Sequence, residues 1–529
     1  MKVELYDTTL RDGAQMEGMS LSVEDKLKVA RKLDELGVHY VEGGWPGSNP
    51  KDAEFFVRAQ SLNLQHARLA AFGSTRRAGG DAKTDANLRA LLDARTPVVT
   101  LVGKTNDVHV RDVLETSLEE NLAMIADSVR LMAANGRTVF FDAEHFFDGF
   151  VSDRAYALRC LKAAAGAGAN CLVLCDTNGG MTTEQLVEAI RAVQAEVDAP
   201  LGIHTHNDAD LAVANSLAAV RAGVQQVQAC VNGYGERCGN ANLMSIIANL
   251  KLKMGLDVVS DEQLAMLTEV SHYVSEVVNM VPDPYQPYVG TSAFTHKGGL
   301  HVAAVLKSDA SYQHVPPEVV GNERRLVVSE LGGSRSVQQK LKEVGFEEEL
   351  SRDEARALQE LVNEQESKGY QYEGAEASFE MLVRRARPGY APPFELEDFW
   401  IVERRASATA QHDREMQAEA MVKVRIDGKL MQTAAEGNGP VNALDAAVRK
   451  AMVEFFPTIY AVKLIDYKVR IIDSTAGTSA AVRVLIESSD GERMWTTVGA
   501  STDIIEASWL ALADSLEYFL VKRAGWTPG

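Results

Sequence analysis

From residue 3 to about residue 255 the chain repeats one pattern, a short apolar run followed by a longer stretch with apolar positions three and four apart. The runs VELYDTT, HYVEGGW, ARLAAFGS, PVVTLVG, RTVFFDAEH, ANCLVLCDT, PLGIHTH and QQVQACVNG read as strands. Near-continuous apolar runs of this length suit strands buried on both faces. The stretches after them predict helices over 23–37, 51–62, 84–94, 117–135, 153–167, 182–197, 208–222 and 241–253. Ser22 supplies an N-cap oxygen to the first and Gly37 a residue free to turn left-handed at its end. Uninterrupted βα alternation means a parallel sheet covered by helices, and eight units predict a closed TIM (β/α)8 barrel of the α/β class. A doubly wound open sheet is the alternative, but no G-x-G-x-x-G follows the first strand.

The pattern changes after the barrel. PDPYQPY (282–288) is too proline-rich to continue a helix, and residues 331–390 read as charged helices ending at ARPGYAPP. Beyond lies an internal repeat. GKLMQTAAEGNGPVNALDAAVRKAM (428–452) aligns with GERMWTTVGASTDIIEASWLALADSL (491–516), placing Gly428 on Gly491, Met431 on Met494 and Thr433 on Thr496. Each copy reads as strand, turn and helix, behind the alternating strands MVKVRID and AAVRVLIES. The boundaries that follow are a barrel over 1–280, a helical linker region over 281–390 and a C-terminal α+β domain over 391–529.

Composition narrows the class. Hydrophobic residues at 46% and charged residues at 24% are those of a soluble globular protein, and no apolar run is long enough for a membrane span. A net charge of −20 argues against general nucleic-acid binding, though a local pocket can still be basic. The chain starts directly on a strand pattern without a signal-peptide apolar region, and its five cysteines form no C-x-x-C. Both features suit a reducing cytoplasm.

A TIM barrel holds its chemistry at the carboxyl ends of its strands. There the sequence places Arg11 and Asp12, then Glu42, Glu144, Asp176 and Thr177, His204 and His206, and finally Asn232, Glu236, Arg237 and Asn240. His204 and His206, two apart, point to one face of a strand. Alone they could be a surface pair, but a carboxylate from the first strand meets them at the same mouth. Two imidazoles and one carboxylate with open positions suit a divalent catalytic metal. Asn207 and Asp208 read as loop and helix N-cap, and Glu236 with Arg237 as an internal ion pair.

LYDTTLRDG, HTHND and NGYGERCGN together resemble the DRE-TIM metal-dependent acyl-CoA enzymes. That family includes 2-isopropylmalate, homocitrate and citramalate synthases and 3-hydroxy-3-methylglutaryl-CoA lyase. AFTHKGGLHVAAVLK (293–307) and SYQHVPPEVVGNERRLVVSELGG (311–333) look like the synthases' linker, which the lyases lack. YVEGGWPGSNPKDAEFF and DAEHFFDGF are most similar to the long bacterial (R)-citramalate synthases. The synthases share all the main motifs, so a 2-isopropylmalate or homocitrate synthase stays the alternative.

The resemblance implies condensation of acetyl-CoA with a 2-oxo acid on a divalent ion (Mg, Mn, Co or Zn). It assigns Asp12, His204 and His206 to the metal, and Arg11 to oxyanion charge, with an ion pair to Glu42 as the competing role. Glu144 becomes a catalytic carboxylate, and Thr177 binds the 2-oxo acid carboxylate unless it is a helix cap. Asn240 matches a metal ligand of the lyases that acts through water in the synthases; both roles stay open. His301 matches a linker acid/base and Tyr312 a linker tyrosine reaching the partner subunit's site, which implies a homodimer with exchanged linkers; His296 does not match and reads as structural. The repeated C-terminal domain looks like an amino-acid regulatory domain, with 437–439 and 476–478 as candidate loops and dimerisation alone as the competing role. Isoleucine is the effector expected for a citramalate synthase.

Overall fold

A computed structural model describes residues 2–296, 301, 304–305, 307–308, 311–326, 352–372, 375–387, 389–404, 417–472, 480–524 and 526. These form two compact units, Met1–Phe294 with Val315–Arg324, and Thr295–His314 with Arg325–Gly529.

In the first unit, eight parallel strands close on themselves: β1 (Glu4–Asp7), β2 (Tyr40–Glu42), β3 (Arg68–Ser74), β4 (Val98–Lys104), β5 (Thr138–Glu144), β6 (Cys171–Asp176), β7 (Leu201–Thr205) and β8 (Gln226–Ala229). Pairing of Glu4 with Gln226 and Asp7 with Ala229 closes the ring. Tyr6, Tyr40, Ala70, Val98, Phe140, Cys171, Val173 and Cys175 fill its interior, with the Tyr40 and Phe140 rings edge to face at 5.0 Å. Cys171 and Cys175 are the small core hydrophobes their apolar run implies.

The covering helices are α1 (Val23–Leu36), α2 (Pro50–Ala59), α3 (Ala86–Asp93), α4 (Asp107–Asp112), α5 (Leu118–Ala134), α6 (Phe146–Ser152), α7 (Arg154–Ala167), α8 (Thr183–Gln194), α9 (Ala212–Arg221) and α10 (Leu243–Leu252). Ser22 caps α1 with Asp25 answering, and Gly37 ends it at φ 87°. Two helices escape the periodic reading. The six residues of α4 are too few to show a period; Asn106 starts them by accepting from Val108 N and His109 N. The second, α6, follows His145, which stands in the left-handed region at φ 55°. α9 begins at Ala212, so Asp208 is not its cap; Arg237 holds that carboxylate instead, and Asn207 Oδ1 accepts from Ala212 N.

In the second unit, β9 (Thr295–His296) pairs with β10 (Arg325–Leu326), and His296 contacts Gln313 at 3.3 Å. Two antiparallel sheets follow: β11 (Glu395–Arg404), β12 (Gln417–Ile426) and β13 (Lys429–Gly437), then β14 (Lys463–Ile471), β15 (Val482–Ser489) and β16 (Met494–Ser501). Helices Pro440–Met452 and Ile504–Lys522 end the two copies.

The repeat is therefore real, but its register is one residue longer than the gap-free alignment. Thr433 is matched by Thr497, not Thr496: Thr433 Oγ1 bonds Ala447 O and Thr497 Oγ1 bonds Ala511 O, both at 2.7 Å. Val422 pairs with Thr433 just as Ile486 pairs with Thr497. Glycine at both hairpin tips misleads the alignment, because Asp427 and Gly428 share the left-handed turn that Gly491 enters one position earlier.

Helix Arg352–Ser367 and helix Glu376–Arg385 contribute Leu358, Val362, Phe379 and Val383 to a cluster with Val498 of β16. Arg385 reaches the buried Asp514 at 2.7 Å and also pairs with Glu517. Residues 476–478 and 327–351 lie outside the described residues.

Candidate metal and substrate site

The turn after β1 is built to present two side chains. Asp7 accepts from Thr9 N and Thr9 Oγ1, while Thr8 O collects the backbone N–H groups of Arg11, Asp12 and Gly13. Arg11 and Asp12 therefore leave the strand end in fixed directions. Asp7 itself is fully buried, and that burial raises its carboxyl from 3.8 to about 7 despite the Thr9 bonds.

Asp12 Oδ2 lies 3.2 Å from His204 Nε2 and 3.8 Å from His206 Nε2. One ligand atom from each of the three falls within 4.8 Å of the others, and all three residues are buried. Burial opposes the Asp12 charge, but Arg11 and the two imidazoles outweigh it and hold the carboxyl well below its ordinary range.

The other ring nitrogens set the tautomers. His206 Nδ1 sits 2.7 Å from Thr177 O, which can only accept, so Nδ1 carries the proton and Nε2 a lone pair. His204 Nδ1 lies 2.8 Å from Gln228 Oε1, and Gln228 Nε2 donates to Asp142 Oδ1 at 2.9 Å. Histidines fixed through one nitrogen and open at the other are the usual form of metal-binding imidazoles. His206 Nε2 and Asn240 Oδ1 are buried without a hydrogen-bond partner. A buried, unpartnered His206 Nε2 lying 3.8 Å from a carboxylate oxygen is costly unless a cation satisfies it. The donor set fits a divalent ion.

The loop after β8 delivers Asn240. Its amide donates to Tyr234 O at 3.1 Å, and a bridge pairs Asn240 with His206. Glycine is required at Gly235, at φ 153°, since a Cβ there would stand 2.2 Å from Asn240 Nδ2.

Arg11 is clamped. Its Nε donates to Glu42 Oε1 at 2.6 Å, and its guanidinium lies 3.8 Å from the centre of the Phe72 ring. Tyr6 OH donates to Glu42 Oε2 and meets Thr100 Oγ1 at 2.6 Å. The Glu42 ion pair is thus made, but it occupies only Nε, while Nη1 approaches Asp12 Oδ2 at 3.4 Å.

Arg11, Asp12, Glu144, Thr177, His204 and His206 line one cavity of about 380 Å³. Glu144 pairs with Lys104 at 2.7 Å, a partner the sequence did not suggest. Thr177 is not a helix cap, since Thr182 opens α8; its Oγ1 accepts from His145 N at 2.8 Å, leaving the hydroxyl proton to donate elsewhere. Arg237 makes the expected ion pair with Glu236 at 3.4 Å and adds shorter contacts to Asp208 at 2.8 and 3.0 Å. Gln228 and Phe72 escaped the sequence reading because they face inward from apolar strands. His301 and Tyr312 belong to the second unit, where their rings stack 4.2 Å apart and Tyr312 is exposed.

The HMGL-like family matches residues 2–274, the homocitrate synthase post-HMGL domain-like family residues 288–369, and the LeuA allosteric (dimerisation) domain residues 373–520. The chain is 51% identical to an (R)-citramalate synthase of Geobacter sulfurreducens and 50% to one of Aquifex aeolicus, each over 98% of both chains. It is 36% identical to a probable 2-isopropylmalate synthase of Methanopyrus kandleri over 99% of both. Fold and site together define a TIM-barrel enzyme of metal-dependent, acyltransferase-type condensation. The chain belongs to the HMGL-like family and, within it, to the group of the (R)-citramalate synthases.

Proposed function

We propose that this protein condenses pyruvate with acetyl-CoA and water to give (R)-citramalate and CoA, in isoleucine biosynthesis. The observation that carries the reading is the Asp12–His204–His206 triangle beside the clamped Arg11. End-to-end similarity favours citramalate synthase over 2-isopropylmalate synthase, at 51% against 36% identity.

Asp12, His204 and His206 would hold the divalent ion, and Asn240, whose buried Oδ1 has no hydrogen-bond partner, is the candidate for a further ligand, direct or through water. Bound there, the ion supplies Lewis acidity toward a 2-oxo acid. Arg11, unable to lose its proton, offers its Nη donors to the oxyanion that forms when the acetyl enolate attacks the ketone. The Thr177 hydroxyl donates to the 2-oxo acid carboxylate. Glu144, held by Lys104, moves the proton taken from the acetyl methyl. His301 and Tyr312 complete the site from the linker of a homodimer, whose exchanged segments carry them to the partner barrel. In this proposal residues 1–280 are catalytic, 281–390 the linker and 391–529 an isoleucine-sensing domain, and the enzyme works in the cytoplasm. Among the described residues no helix is long and apolar enough to cross a membrane.

The test is thiol release from acetyl-CoA with pyruvate and with 2-oxoisovalerate. A higher kcat/KM for pyruvate is expected. Preference for 2-oxoisovalerate would make the protein a 2-isopropylmalate synthase.

A further inference from the structure

We propose that Asp142 is a positioning residue of the metal centre, fixing the Gln228 amide and through it the tautomer of His204. The inference rests on the metal reading above. His204 of β7 and Gln228 of β8 are register partners in the barrel ladder, and Asp142 stands on β5. All three are buried.

The two hydrogen bonds run in one direction. His204 Nδ1 meets Gln228 Oε1 at 2.8 Å and Gln228 Nε2 meets Asp142 Oδ1 at 2.9 Å. An amide looks almost the same after a 180° flip, so Gln228 alone cannot decide which end faces His204. Asp142 decides it, because the carboxyl oxygen it turns to Gln228 accepts. The NH2 must then face Asp142 and the carbonyl must face His204. This holds for the carboxylate, and for the acid with its proton on Oδ2; the bond from Gln228 Nε2 to Oδ1 is the geometry that fixes the direction. With its Nδ1–H committed to the carbonyl, His204 keeps the Nε2 lone pair toward Asp12. A flipped amide would place N–H against Nδ1 and move the ring proton to Nε2, where it blocks a metal.

Partners behind a metal-binding histidine are worth roughly 10–100-fold in metal affinity. Asp142→Leu removes the deciding acceptor, and Asp142→Asn replaces it with an amide that can turn either its oxygen or its NH2 to Gln228. Mn²⁺ affinity is measured on the full-length chain by competition with a chelating dye, with circular dichroism to verify the fold. D142L is expected to bind Mn²⁺ about 10–100-fold more weakly, and D142N to share part of that loss because its amide no longer fixes the direction. Q228L should lose as much as D142L, and the double variant no more than either, as members of one chain are not additive. Wild-type affinity in D142L or in Q228L would overturn the proposal, as would losses that multiply in the double variant. If D142L does not fold, the outcome rests on Q228L and D142N. A wild-type chain that binds no divalent ion fails the metal reading itself, a distinct result.

Discussion

His204 Nε2 and Asp12 Oδ2 stand 3.2 Å apart at the mouth of the barrel, both acceptors when the imidazole is protonated on Nδ1. Two facing lone pairs repel unless a cation or a shared proton lies between them. His206 Nε2, with no hydrogen-bond partner, points to the cation.

Exhaustive chelation should therefore abolish turnover, and Mg²⁺, Mn²⁺, Co²⁺ or Zn²⁺ should restore it. H204A should weaken metal binding by at least ~100-fold while leaving the circular dichroism spectrum unchanged. Full activity in a chain shown by metal analysis to be empty would refute the metal site.

Arg11 predicts a substitution that charge alone would not. Its Nε is bound to Glu42 and its plane lies over Phe72, so only a planar, forked cation can hold both and still offer donors to the cavity. R11K keeps the charge but is expected to lower kcat by about 10²–10³-fold, as for loss of an oxyanion donor. Steady-state kinetics with little change in KM for pyruvate is the expected signature; near-normal kcat in R11K would show that charge suffices.

Asp7 gives a pH dependence of stability. Burial raises its carboxyl from 3.8 to about 7, so the folded chain keeps a proton that the unfolded chain has lost. Its stabilising contribution is complete below the unfolded value near 3.8 and fades as pH rises through about 7. D7N cannot titrate. Between pH 4 and 7 the stability of wild type relative to D7N should fall by ~2–4 kcal/mol in urea unfolding. A difference that is flat over this range would mean Asp7 ionises normally.

The barrel was legible because its signal is carried by many residues: eight apolar runs, each bounded by turns, need no single residue to be right. The metal triangle was legible because strand ends converge in any such barrel, so Asp12, His204 and His206 could be placed without distances. What the sequence withheld depends on side-chain direction. Arg237 reaches Asp208 as well as its neighbour Glu236, and Thr177 receives His145 N instead of capping a helix. Gln228 lay hidden inside an apolar strand, since nothing in its neighbours distinguishes a buried amide that holds a histidine from one that merely packs.

The last prediction concerns the repeated domain. Its two copies keep the same internal register, Thr433 to Ala447 and Thr497 to Ala511, so they present equivalent strand–turn–helix units on which a small ligand could act. If isoleucine binds there, linkage requires two effects of one affinity: lower turnover, and higher stability of the folded domain. Kinetics of the full-length enzyme should show inhibition by isoleucine and weaker effects of leucine and valine. Helices Arg352–Ser367 and Glu376–Arg385 share an apolar cluster with Val498, so a fragment for binding studies should start at residue 352 rather than at 391. At about 100 times its Kd, isoleucine should stabilise that fragment by about 2.7 kcal/mol, seen as a rise in its unfolding midpoint. Inhibition without stabilisation would place the effector elsewhere in the chain, and neither effect would leave the domain as a dimerisation module alone.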